Sequence, residues 1–269
     1  MNGNLFIKEI KRNAPALILW MVVISTLVSF AMSLYPSVIA NQSRIFDMMN
    51  LVPEEALKLI GIQDFRDKLK PLEFYAVNNV IYMMVLGSIY AIVTSSNILI
   101  GEEYNKTAEY LLTRPLTRSN IFISKMVVLI LFVLILNLVV ALSGLITMKL
   151  VQDEPVNFKA FMILSVYTLL LNTQFAAIGL AMGTLIKRPK PITTFCAGLV
   201  MVLYFIHTIS KMTEGVAGIE YLNPFSYVDL DTNNTAYRLE IWHLLYFLTI
   251  TLLLTSISFK LYQRRDIYN

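Results

Sequence analysis

The sequence predicts an all-α, polytopic membrane protein, and three observations predict it. Hydrophobic residues make up 57% of the 269 positions and charged residues only 15%, against roughly a quarter charged in a soluble domain. The mean hydropathy is +0.64. The apolar residues fall into six segments, each near the ~20 residues that a helix needs to cross a bilayer, and the lysines and arginines gather at the segment ends. The expected architecture is one domain over residues 1–269: six transmembrane helices, an N-terminal interfacial helix, a cytoplasmic helix between the second and third spans, and short extracellular helices.

The first thirteen residues carry Lys8, Lys11 and Arg12, with Leu5, Phe6 and Ile10 available for one face. They read as a short interfacial helix, residues 3–13, or as a plain basic flank. The apolar run after them is too long for a cleavable signal and lacks a small-residue cleavage site. The spans are expected at about 14–35, 76–100, 120–148, 158–186, 191–212 and 241–262. The third and fourth are long enough to tilt. In the loop after the first span, Pro53 opens and Gly61 closes a helix-like run, and a second short piece follows from Gln63 to Leu69. The loop before the last span holds the turn Asn223-Pro224-Phe225 and the polar run Asp229 to Thr235.

Lysine and arginine counts set the orientation. With the N-terminus inside, 13 of the 22 basic residues fall on inside flanks. Five of the other nine share one long outer loop, mixed with acids such as Asp47 and Glu54. Both termini are therefore expected in the cytoplasm, with the chain in the plasma membrane. The net charge of +4 serves this orientation and not nucleic acid, since no basic face is interleaved with aromatics.

Chemistry is sparse. The sequence has no phosphate-binding glycine loop, no nucleophile elbow and no zinc-binding His pair. Cys196 is the one cysteine, and it lies in an apolar segment. His207 and His243 stand apart and read as packing or interface residues, so no metal is expected. The middle thirds of the spans hold almost no ionisable residue, whereas ion-coupled carriers keep intramembrane charges for their relay. Uncharged polar residues do occur: Ser25, Ser29 and Ser33 on one face of the first span; Asn78, Asn79, Ser88 and Thr94 to Asn97 in the second; Asn172, Thr173 and Gln174 in the fourth. They serve helix–helix hydrogen bonding, or they line a weakly polar path, for which Ser25, Ser29, Asn79 and Ser95 are the candidates. Gly179 and Gly183 form a GxxxG pair that reads as helix packing.

The most informative stretch is Gly101 to Lys125. From Glu102 to Thr113 it reads as an amphipathic helix, with Tyr104, Ala108, Leu111 and Leu112 on one stripe. Glu102 and Lys106 are spaced as a favourable pair, and Pro115 ends the helix. Such a helix is a simple hairpin, lies on lipid, or docks into another protein.

Glu103, Thr107, Glu109, Leu111, Leu112, Pro115, Arg118 and Lys125 follow the pattern E-x₃-T-x-E-x-L-L-x₂-P-x₂-R-x₆-K. This resembles the ABC-2 family of ABC transporter permeases, the six-helix membrane subunits of exporters, and the resemblance spans nearly the whole chain. Lys106 departs from it, standing where many members carry glycine. The N-terminal piece resembles the family's elbow helix, and Asn223 to Tyr227 resembles the turn before its last helix. The resemblance implies that residues 102–118 act as a coupling helix in the groove of a separate ATP-binding subunit. Leu111 and Leu112 would anchor it, with Glu103, Thr107, Glu109, Pro115 and Arg118 as further contacts. It also implies two copies of that subunit, which would hold ATP and magnesium, and a second permease chain, identical or similar. The cargo would be amphipathic or hydrophobic: a peptide toxin, bacteriocin, peptide antibiotic or drug. No cofactor and no catalytic residue is expected in this chain. The rival expectation is a secondary transporter or channel that works without ATP.

Overall fold

The computed structural model describes residues 3–41, 70–104, 117–151, 156–186, 189–211, 220–230 and 237–264. The described residues are helical with no strand, and six helices are long and apolar enough to cross a membrane. We number the α-helices α1 (Gly3–Ser33), α2 (Tyr35–Ala40), α3 (Pro71–Asn79), α4 (Gly87–Tyr104), α5 (Arg118–Val151), α6 (Phe158–Leu185), α7 (Pro189–Ser210) and α8 (Ile241–Arg264). The second span is composite: α3, a π-helical stretch Val80–Leu86, then α4. The outer-loop helices expected between Pro53 and Leu69 lie outside the described residues. The path of the six long helices puts the start of α1, the end of α4, the start of α5 and the end of α8 at one end of the bundle, called here the termini end.

Each long apolar stretch of the sequence falls on one of these helices or, for the second, on the composite of α3, the π-helical stretch and α4. The first differs in extent. The boundary expected at residue 13 is absent, because α1 runs unbroken from Gly3 through Pro15 to Ser33. Proline withholds one N–H, leaving the carbonyl of the residue four back without its helical partner. Here that residue is Lys11, which is exposed near the end of the bundle.

The second and fourth spans form the centre. The most extensive packing is α4 on α6, followed by α1 on α5, α8 on α6, and α7 on α4. Glycine makes the central contact close. A Cβ on Gly179 would collide with Ser95 Oγ and the Ile92 carbonyl, and one on Gly183 would stand 2.7 Å from the Ser96 carbonyl. The GxxxG pair thus lets two backbones meet, as small residues do between membrane helices. Toward the outside of the bundle, α1, α7 and α8 leave most of their apolar surface uncovered, with Val22, Phe205 and Leu252 each more than half exposed.

At the end opposite the termini, the turn ahead of α8 is wedged into the bundle. The Asn223 side chain donates to the Leu203 carbonyl (2.7 Å) and accepts from Phe225 N–H (3.2 Å). This sets Phe225, fully buried, against Phe175, Tyr204 and the His207 ring. Tyr227 stacks on Tyr246 of α8 with centroids 3.7 Å apart and planes 11° from parallel. Both histidines have partners here. His207 Nδ1 is 3.2 Å from Ser226 Oγ, and His243 Nδ1 is 3.3 Å from the Tyr167 hydroxyl.

Candidate functional site

The residues singled out from the sequence divide between two places. Glu103 falls in the last turn of α4. Thr107, Glu109, Leu111, Leu112 and Pro115 lie outside the described residues. Arg118 opens α5 and donates to the Gln263 carbonyl near the end of α8 (3.1 Å), while Gln263 Nε2 donates to Ser119 Oγ (3.0 Å). These bonds, with Phe122 packed on Phe259 and Tyr262, fasten the last helix to the root of the third. The segment 105–116 is therefore bracketed by helices tied into the core: α4, which packs on α6, and α5, which holds both α1 and α8.

The four path candidates separate. Ser25 has a buried hydroxyl that makes no hydrogen bond among the described residues. Ser29 accepts from Thr147 of α5 (3.2 Å). Asn79 is the last residue of α3, where the π-helical stretch begins. Ser95 is fully buried, its hydroxyl donating to the Ile92 carbonyl (3.0 Å) and facing Gly179. Ser95 thus lies at the contact between α4 and α6.

A polar cluster instead forms near mid-depth. Ser88, Asn137 and Asn172 lie near the midpoints of the second, third and fourth spans, and all three are buried. Ser88 Oγ donates to Asn172 Oδ1 (3.1 Å), Asn172 Nδ2 donates to Asn137 Oδ1 (3.3 Å), and Asn137 Nδ2 donates to the Val133 carbonyl (2.8 Å). Gly87 makes room for it, since a Cβ there would stand 2.8 Å from Asn172 Nδ2. Each amide has partners, as a buried polar group requires in a medium without water. Asn172→Ala is expected to strand Ser88 and Asn137 and lower stability by about 1–2 kcal/mol. Thermal unfolding in detergent measures this; an unchanged midpoint means the cluster holds nothing together.

The groove between α5, α6 and α8, lined by Met126, Leu129, Val133, Leu180, Thr251 and Thr255, has a volume of about 50 Å³. Pockets that enclose ligands run to roughly 300–1,000 Å³.

One feature of the termini end has no counterpart in the sequence reading. Glu9 of α1 and Lys125 of α5 are both fully buried, with Lys125 Nζ 3.5 Å from Glu9 Oε1. Glu9 was hidden among Lys8, Lys11 and Arg12, where an acid looks like charge balance. Its spacing hinted at more, because Arg12 and Asn13 are one turn on, and both donate to Glu9 Oε2 (2.6 and 3.3 Å). The pair lies near the end of the bundle, away from the mid-depth position of a transport relay.

These features define a class: a multi-pass helical membrane protein whose second and third spans carry a helix-bounded connection at the termini end. A family model for ABC-2 family transporter proteins matches residues 4–267, and the chain belongs to that family. None of the individually curated proteins matches the chain.

Proposed function

We propose that the chain is the membrane subunit of an ATP-driven exporter and that residues 102–118 are the seat of its ATP-binding subunit. The family match over residues 4–267 supports the permease role. The seat is supported by the packing of α4 and α5, the helices that flank residues 105–116 in the chain, on α6 and α1. Residues fixed to both helices root it in the core, so a push on the segment moves the second and third spans as rigid bodies. Leu111 and Leu112 are the buried anchors. Glu103, Thr107, Glu109, Pro115 and Arg118 complete the contact, with the charges at the rim.

The nucleotide chemistry belongs to the partner. Two ATP-binding subunits hold ATP and magnesium, and two permease chains, identical or similar, enclose the path. Two observations favour a path between chains: the uncovered faces of α1 and α7, and the position of these two helices against the composite second span. Ser25, Ser29 and Asn79 are its candidate polar points, with Ser95 on the core side. The predominantly apolar surface suits an amphipathic or hydrophobic cargo such as a peptide toxin, bacteriocin, peptide antibiotic or drug. The charge distribution supports a plasma-membrane location with both termini cytoplasmic, which puts the termini end on the ATP side.

Affinity purification of the tagged chain from its native membranes tests this reading. Vanadate-sensitive ATP hydrolysis is expected to co-purify. Cargo transport by the chain alone in vesicles, without ATP or a partner, overturns it in favour of a secondary transporter or channel. Glu109→Lys and Arg118→Glu are each expected to cut the cargo moved per ATP at least about fivefold, the size of a 1 kcal/mol loss, while the protein still inserts. Normal coupling in both would make these charges decorative.

A further inference from the structure

We propose that the Glu9–Lys125 pair is a transmission strut: it fastens α1 to the roots of the second and third spans, so that α1 moves with segment 105–116. The proposal rests on that segment being the ATPase seat. Lys125 is the hub. Its ammonium group reaches Glu9 on α1 and also donates to the Ile98 carbonyl of α4. One buried cation on α5 thus holds both neighbouring elements. Ile98 and Lys125 each lie within about two turns of the helix end that borders segment 105–116. The bridge therefore spans the base of the segment that would receive the push.

The surroundings make the contact hard to replace. Glu9 and Lys125 are both fully buried, and taking one member from a buried charge pair is costly. Glu9 is itself steadied by Arg12 and Asn13, one turn further along α1. α1 then continues without a break to Ser33, packed along α5. Displacement at its base is carried into the membrane-spanning part, where Trp20 rests against Tyr90 of α4 with ring centroids 6.0 Å apart.

Trp20 is the reporter for the test. With Trp242 replaced by phenylalanine, it is the one tryptophan left, and quenching by brominated lipid reads how closely α1 is held. The full chain, with its ATP-binding subunit, is reconstituted in nanodiscs. Without nucleotide, Glu9→Gln and Lys125→Met are each expected to raise quenching about twofold, and Lys125→Arg to restore the native value. Quenching unchanged in both neutral variants overturns the strut. With ATP and vanadate, the native pair is expected to show a change in Trp20 quenching that both neutral variants lose while still hydrolysing ATP. The same change in the variants, or none in the native protein, overturns transmission. If no ATPase activity accompanies the native chain, the exporter reading falls, and with it transmission. The nucleotide-free arm still decides whether the pair fastens α1.

Discussion

Gly179→Leu is expected to cost at least about 3 kcal/mol, at or beyond the upper end for overpacking a core, and to lower the thermal midpoint in detergent by roughly 6–12 °C. At this position a Cβ alone collides with Ser95 Oγ and with the carbonyl of Ile92. The first obstacle is a side chain that can turn aside. The second is backbone, so α4 and α6 must separate. That contact is the most extensive in the bundle, and lipid offers no hydrophobic gain for helices held apart. Ser95→Ala in the Gly179→Ala background should therefore recover only part of the loss, since it clears one of two obstacles. Gly198→Ala is the control. A Cβ there meets nothing within 4 Å, and alanine's better helix propensity, worth roughly 0.8–1 kcal/mol, should leave stability unchanged or slightly raised. Equal midpoints for Gly179→Leu and the native protein would show that the close approach is not needed.

The contrast between these glycines shows what was legible. Six spans could be read because bilayer thickness fixes their length and lipid fixes their composition. The GxxxG pair could be read as packing because small residues four apart share a helix face. Its partner could not, since the polar residues of the second span run round several faces and do not mark Ser95 as the one opposite Gly179. The facing of the third span was equally hidden. Leu136 and Val140 are buried while Leu134, Leu138 and Leu142 are exposed, yet all are aliphatic, because the core and the lipid ask for the same chemistry. Where a polar side chain breaks that uniformity, as at Asn137, position is decided by a partner on another helix. The same reason hides Glu9. Its role depends on Lys125, far away in the chain, and its own neighbourhood reads as a basic flank. The continuity of α1 was hidden as well, since the chain passes from charged to apolar residues there while the helix runs on through Pro15.

Leu111→Asp combined with Leu112→Asp should separate the protein from its ATP-binding subunit while leaving the permease folded. A leucine anchor buried at the centre of an interface contributes on the order of 2 kcal/mol or more. Aspartate also forces a carboxylate into the apolar part of the groove, so a loss of at least about 4 kcal/mol is expected for the pair. That is roughly a thousandfold in affinity, enough to abolish co-purification. Segment 105–116 lies in the chain between the end of α4 and the start of α5. The thermal midpoint of the isolated chain should thus stay within about 1 °C of native, since a change outside the core shifts stability by only a few tenths of a kcal/mol. The two measurements are decisive together. Loss of the partner with a native midpoint supports a seat at Leu111 and Leu112. Loss of the partner with a fallen midpoint would mean that the leucines fold the turn back onto the bundle. A retained partner would move the seat elsewhere on the protein, away from the second-to-third connection.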